Sequence, residues 1–202
     1  RLSRRSATLS AADEVGVVDA PRGGDGQLSK AVHPRATQHI DASAGHGRLA
    51  TPSSLYTDLI MRQDRLPTGN PDFVEAIKHL IDRPLVKRAL FRNYATIGND
   101  QPIPPFHPYY NPSVPQTTLD LDRARWHLKR SGLTGVRIPV YATLAAEGSV
   151  DMASILQAYG ARVGLHLPVN RVPADGYGSP HWLTQPMASA HTHAPPPADT
   201  LF

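Results

Sequence analysis

The stretch VRIPVYATLAAEGSVDMASILQAYGARVGLHLPVNRV, residues 136–172, decides the fold class. Val136 to Ala142 alternates and carries β-branched residues, which reads as a strand. Met152, Ile155, Leu156 and Tyr159 then fall at i, i+3, i+4 and i+7, one face of a helix that Gly160 is expected to close. Val163 to Val172 reads as the next strand, with Pro168 removing a ladder donor, so this strand is expected at an edge or with a bulge. Strand, helix, strand over so short a span implies a right-handed crossover between parallel strands. The class is α/β.

Upstream the helix signals are local and physical. Asn70-Pro71-Asp72 is a helix start in which Asn accepts the first backbone N–H groups, Pro fits the first turn and Asp meets the positive end of the dipole. Phe73, Ile77, Leu80 and Ile81 form its apolar face. Pro84 forces a break, so a second helix is expected from about Asp82 or Pro84 to Arg92, burying Leu85, Ala89 and Leu90. Asp120 caps a further helix through Leu121, Ala124 and Leu128, which Gly132 ends in the left-handed conformation. Between these helices, Asn93 to Thr118 carries six prolines mixed with Phe106, Tyr109 and Tyr110. Such a stretch cannot propagate helix or central strand, and a loop this long either has a task or is packed down by its own aromatics.

The first third reads weakly. Glu14 to Ala20 and Leu55 to Met61 are short apolar runs that pattern alone cannot separate from helix. Residues 1–66 are therefore taken as a poorly defined N-terminal segment, and 67–202 as the better-marked domain.

Composition narrows the chemistry. The 202 residues contain no cysteine, which excludes a disulfide scaffold, a zinc-thiolate site and a cysteine nucleophile. No apolar run approaches the roughly 20 residues of a membrane-spanning helix. No basic stretch followed by an apolar segment and a small-residue cleavage site follows Arg1, so any export signal is expected to have been removed or left out. The net charge of +4 is modest, and no basic stripe interleaved with aromatics marks a nucleic-acid surface. His181, His191 and His193 lie close together but lack a third tightly spaced ligand and a supporting carboxylate, so no metal is expected. No nucleophile elbow, zinc-protease motif, phosphate loop or dinucleotide fingerprint is present, and Gly23-Gly24-Asp25-Gly26 lacks the Lys and helix that phosphate cradling needs. Asp82 and Asn99-Asp100 are expected to cap a helix and to form a turn. Neither an enzyme nor a cofactor is expected.

A ligand of an open α/β sheet settles outside the carboxyl ends of its strands. Here those ends are Tyr141 to Leu144 and the loop after Val172, which contains Tyr177 and Trp182. Aromatic side chains at such an edge give broad apolar walls with a polar tip.

The order of motifs resembles extracytoplasmic solute-binding proteins of family 5, the peptide- and oligopeptide-binding components of ABC transporters. The matching stretches are MRQDRLPTGNPDFVEAIKHLIDRPLVKRALF from Met61, GNDQPIPPFHPYY from Gly98, LDLDRARWHLKRSGL from Leu119 and RVPADGYGSPHW from Arg171. The sequence departs from the family pattern at Tyr177-Gly178 and His191-Thr192, where similar sequences carry Tyr-Trp. The resemblance implies part of a periplasmic-binding-protein-like lobe of type II, incomplete and with long Pro-rich loops. Residues 1–66 would be a remnant of the first lobe and hinge, and 67–202 a partial second lobe. It further implies capture of peptides or similar small solutes for import, a location in the periplasm or otherwise outside the cytoplasm, a position peripheral to the membrane, and ABC permease subunits as partners. Under this resemblance the ligand-binding residues are Tyr177 and Trp182 as walls, with Thr143 and His191 as polar contacts. The competing reading is a standalone basic interaction module, or a truncated copy without transport activity.

Overall fold

The computed structural model describes residues 37–42, 50, 55–176, 181 and 184–192. The chain divides into two compact units, residues 1–52 with 91–95, and residues 53–90 with 96–202. In the first unit the described residues form a short helix, α1 (Thr37–Asp41), and a turn in which the Tyr94 N–H bonds the Phe91 carbonyl at 2.7 Å. The expected strand at 14–20 lies outside the described residues.

The second unit is built around a mixed four-stranded sheet, β1 (Tyr56–Met61), β2 (Val140–Thr143), β3 (Val169–Val172) and β4 (Met187–Thr192), in the order β1-β4-β2-β3. β2 runs parallel to both β3 and β4, and β1 is antiparallel to β4. Helix α5 (Ser149–Arg162) connects β2 to β3. The strand-helix-strand unit is therefore present with parallel strands, and β3, which follows Pro168, is at an edge among the described strands. Both strands are shorter than their patterns suggest. The N-terminal part of each is reduced to a parallel bridge between Arg137 and His166.

Gly160 does not end α5. The helix runs on to Arg162 and terminates at Gly164, whose φ of 80° suits a residue without Cβ. The Leu165 N–H bonds the Gly160 carbonyl at 2.9 Å and the Gly164 N–H that of Ala161 at 3.3 Å, the paired bonds of a Schellman stop. Gly160 is instead a buried packing position, where a Cβ would come within 3.1 Å of Leu167 Cδ1 and 3.2 Å of the Leu165 carbonyl oxygen.

Helices α2 (Pro71–Lys78), α3 (Arg83–Ala89) and α4 (Leu121–Ser131) precede β2. The capping atoms are those the sequence assigns. Asn70 accepts from the N–H groups of Asp72 and Phe73, Asp82 from Leu85, and Asp120 from Asp122 and Arg123. Gly132, at φ 73°, ends α4. Helix α3 stops at Ala89 rather than Arg92, because Arg92 and Asn93 take positive φ values that a right-handed helix does not permit. Leu90 is buried as expected, Leu85 is half-buried, and Ala89 faces water.

Phe73, Ala76, Ile77 and Leu80 interlock with Ala124 and Leu128 of α4, with Ala153 and Leu156 of α5, and with Val140, Ala142 and Met187 of the sheet. Strand alternation sends Tyr141, Val172 and Ala188 to the opposite face, where they form a second, small cluster. Among the described residues the larger cluster thus lies on one face of the sheet and the smaller on the other.

The Pro-rich segment is ordered by side-chain clamps at its base. Arg83 donates to the carbonyls of Lys78 and Thr117 at 3.1 and 3.0 Å and pairs with Asp100. Asn99 Nδ2 donates to the Val114 carbonyl at 2.7 Å. Asn99 and Asp100 both have positive φ, in keeping with the expected turn. The loop is not packed down by its aromatics, since Phe106 and Tyr109 are exposed.

Candidate functional site

Three parallel strands end together, β2 at Thr143, β3 at Val172 and β4 at Thr192. Antiparallel β1 begins beside them, with Tyr56 opposite Thr192 and Thr57 opposite His191. Thr57 Oγ1 donates to the Glu147 carbonyl at 3.0 Å, fastening β1 to the loop that leads into α5. Helix α5 starts at the same edge, so its N-terminal dipole adds a partial positive charge there. Beyond Thr143 the chain turns sharply and leaves Leu144 82% exposed.

Of the four residues assigned to ligand contact, two are brought to this edge. Val140 stands opposite Met187 and Tyr141 opposite Ala188, which carries Thr143 and the His191 backbone toward the same end of neighbouring strands. Tyr177 and Trp182 lie outside the described residues.

Thr143 is 1% exposed, and its Oγ1 accepts the Ala145 N–H at 3.2 Å. Its own N–H donates to Ser149 Oγ at 3.2 Å, and Ser189 Oγ stands 2.5 Å from the same Ser149 oxygen. This chain of buried hydroxyls joins the ends of β2 and β4 to the first turn of α5. Gly148 at the N-cap position of α5 has no side chain, and no side-chain bond caps the helix, so these hydroxyls tie its first turn to the sheet without capping it.

On the face of the smaller cluster the His181 ring stacks on Tyr141, with centroids 5.2 Å apart and planes inclined by 23°. Tyr141 also packs against Val172 and Ala188. Tyr141 was visible in the sequence only as part of the strand end, and His181 only as a member of a histidine cluster. Alternation along β2 supplies the signal for Tyr141, because Val140 and Ala142 claim the core face. Among the described residues no cluster of three or more His, Cys, Asp or Glu is arranged to hold a metal ion. The edge presents the Tyr141 and His181 rings, the ends of three parallel strands and the N-terminus of α5.

Residues 7–200 match the family described as bacterial extracellular solute-binding proteins, family 5 Middle. The chain belongs to this non-enzymatic family of ABC-transporter solute-binding proteins. Solved structures share the fold. The periplasmic binding protein DppA of Helicobacter pylori, in complex with the peptide STSA, is 19% identical with a TM-score of 0.73, covering 92% of this chain and 36% of its own. NikZ of Campylobacter jejuni, in complex with Ni(L-His), is 17% identical with a TM-score of 0.72, covering 91% and 38%. CtaP of Listeria monocytogenes is 14% identical with a TM-score of 0.79, covering 90% and 38%. The chain thus corresponds to well under half the length of these proteins. No curated protein sequence matches it. The family is extracellular or periplasmic, and among the described residues no helix is long and apolar enough to cross a membrane.

Proposed function

We propose that this chain is part of a solute-binding protein that captures peptides or similar small solutes for ABC-transporter import, delivering them to permease subunits at the membrane. Membership of family 5 over residues 7–200 carries the reading. Under it, residues 67–202 contribute part of a second lobe and residues 1–66 a remnant of the first lobe and hinge. Tyr177 and Trp182 wall the ligand and His191 supplies a polar contact, while Thr143, buried with its hydroxyl accepting the Ala145 N–H, holds the end of β2 and does not itself reach the ligand. A peptide suits such an edge because its backbone bonds to strand ends while its side chains seek aromatic walls. The H. pylori DppA structure, which holds the peptide STSA, is the similar protein that favours peptides as first candidates. Capture between lobes buries most of a ligand, so a partial site holds it less tightly than a whole one.

Isothermal titration with the tetrapeptide STSA and with a panel of dipeptides tests the reading. Saturable binding that falls about tenfold in Trp182→Ala is the expected result. Absence of binding by every peptide would overturn peptide capture, and unchanged affinity in the variant would remove Trp182 from the site.

A further inference from the structure

We propose that the knuckle Pro102–Tyr110 is a membrane-contact element that seats Phe106 and Tyr109 in the interfacial zone of a phospholipid bilayer. This goes beyond solute capture and does not depend on which solute is bound.

The knuckle is closed at its base. Gln101 donates from Nε2 to the Asn111 carbonyl at 3.0 Å and accepts the Asn111 N–H on Oε1 at 3.3 Å, so one amide side chain bridges both strands of the loop. The Arg83 and Asn99 clamps lie just outside this bridge. The conformational cost of ordering the loop is therefore met before any partner arrives. Yet Phe106 is 58% and Tyr109 72% exposed.

Charge argues for a bilayer over an ionic partner. Residues 101–119 contain no Asp, Glu, Lys or Arg, in a chain that is 19% charged. A loop shaped for an acidic or basic surface would carry complementary charge. Exposed Phe and Tyr on an uncharged loop suit the interface, where the ring enters the apolar margin and the phenol stays among headgroups.

Backbone bookkeeping supports the same conclusion. Entering an apolar medium is costly when N–H groups lose water without a substitute. Pro102, Pro104, Pro105 and Pro108 have no N–H. The N–H groups of His107, Tyr109, Tyr110 and Asn111 bond respectively to the Pro104 carbonyl, His107 Nδ1, the His107 carbonyl and Gln101 Oε1. Of the residues from Pro102 to Asn111, this leaves the N–H groups of Ile103 and Phe106. Few N–H groups of the tip therefore need water, and the interfacial zone, unlike the hydrocarbon core, keeps water within reach of the carbonyls that have no partner in the loop.

The test is co-sedimentation of the whole chain with sucrose-loaded vesicles of phosphatidylcholine alone, over increasing lipid. Reversible partitioning is expected, weaker than the roughly 10⁴ M⁻¹ of a single myristoyl chain. It should change little between roughly 0.05 and 0.5 M salt, because no charge pairing is involved. Phe106→Ser with Tyr109→Ser should lower partitioning about tenfold while the thermal midpoint stays within a degree or two, since neither ring supports the core. Tyr109→Phe should retain it. No partitioning of the native chain, equal partitioning of the double variant, or binding that requires anionic lipid and disappears with salt would each overturn the proposal. Loss of peptide binding in the double variant is not expected, so the result is read separately from solute capture.

Discussion

Tyr159 on α5 donates its phenolic hydrogen to Asp82 Oδ2 at 2.9 Å, while the other oxygen of that carboxylate accepts the Leu85 N–H opening α3. One side chain thereby caps one helix and holds another, although the two residues are far apart in sequence. The hydrogen bond to Asp82 raises the Tyr159 pKa above the ordinary phenol range. A phenol raised on folding contributes stability that is fully present below the unfolded value near 10 and lost as pH climbs through the folded value. Tyr159→Phe should cost roughly 0.5–1 kcal/mol at neutral pH, discounted for partial exposure, and should flatten the alkaline decline of stability. Urea denaturation of both proteins between neutral and strongly alkaline pH checks this.

Gly160 should resist enlargement. Alanine gains about 1 kcal/mol in helix propensity, but its Cβ presses on the Leu165 carbonyl, a backbone atom that cannot rotate away. Overpacking costs typically 1–3 kcal/mol, so Gly160→Ala should be net destabilising by about 1 kcal/mol and Gly160→Val by more. Equilibrium unfolding would show a gain in stability if the position were an ordinary exposed helical glycine.

Arg83 holds the foot of the Pro-rich loop through a fork that reaches two carbonyls and a carboxylate. Lysine has one ammonium in place of that fork and cannot hold the three acceptors in the same geometry. Arg83→Met should cost about 2 kcal/mol, and Arg83→Lys somewhat less. Limited proteolysis should find new cleavage between residues 98 and 118 in either variant, with the native chain protected there.

Asp120 is held below the usual carboxylate range, first by the Arg123 N–H and then by that of Asp122, with the Arg123 guanidinium adding a smaller pull. Its folded pKa is depressed, so its contribution is present above the unfolded value near 3.9 and lost as pH falls through the folded one. Asp120→Asn should keep the cap at neutral pH, because Asn accepts the same bonds, and should lessen the loss of stability below about pH 4. An acid titration followed by circular dichroism distinguishes the two.

Helix starts were the most legible part of the fold, because Asn70, Asp82 and Asp120 each act within three residues on the backbone that follows. Helix ends were less so. Gly160 and Gly164 are both glycines near the end of an apolar pattern, and only the approach of Leu165 and Leu167 shows that the first is for packing and the second for turning. Strand lengths were overread for a similar reason, since apolar residues such as Leu165 and Leu167 enter the core from irregular backbone as well as from a ladder. At the sheet edge, Thr143 could be assigned by its place after an apolar run. The Ser149 and Ser189 hydroxyls beside it could not, because they meet only through the pairing of β4 with β2. The Tyr141 and His181 stack has the same origin, forty residues of chain folded back by tertiary contacts.

The strand order also sets a timetable for synthesis. β4 comes last along the chain yet lies between β1 and β2, so those two earlier strands have no mutual backbone bonds. While the nascent polypeptide emerges, β2 and β3 can zip together around α5, but β1 and β4 can pair only after more than a hundred further residues have been translated. The arrival of Met187–Thr192 is the event that joins β1 to β2 in one sheet.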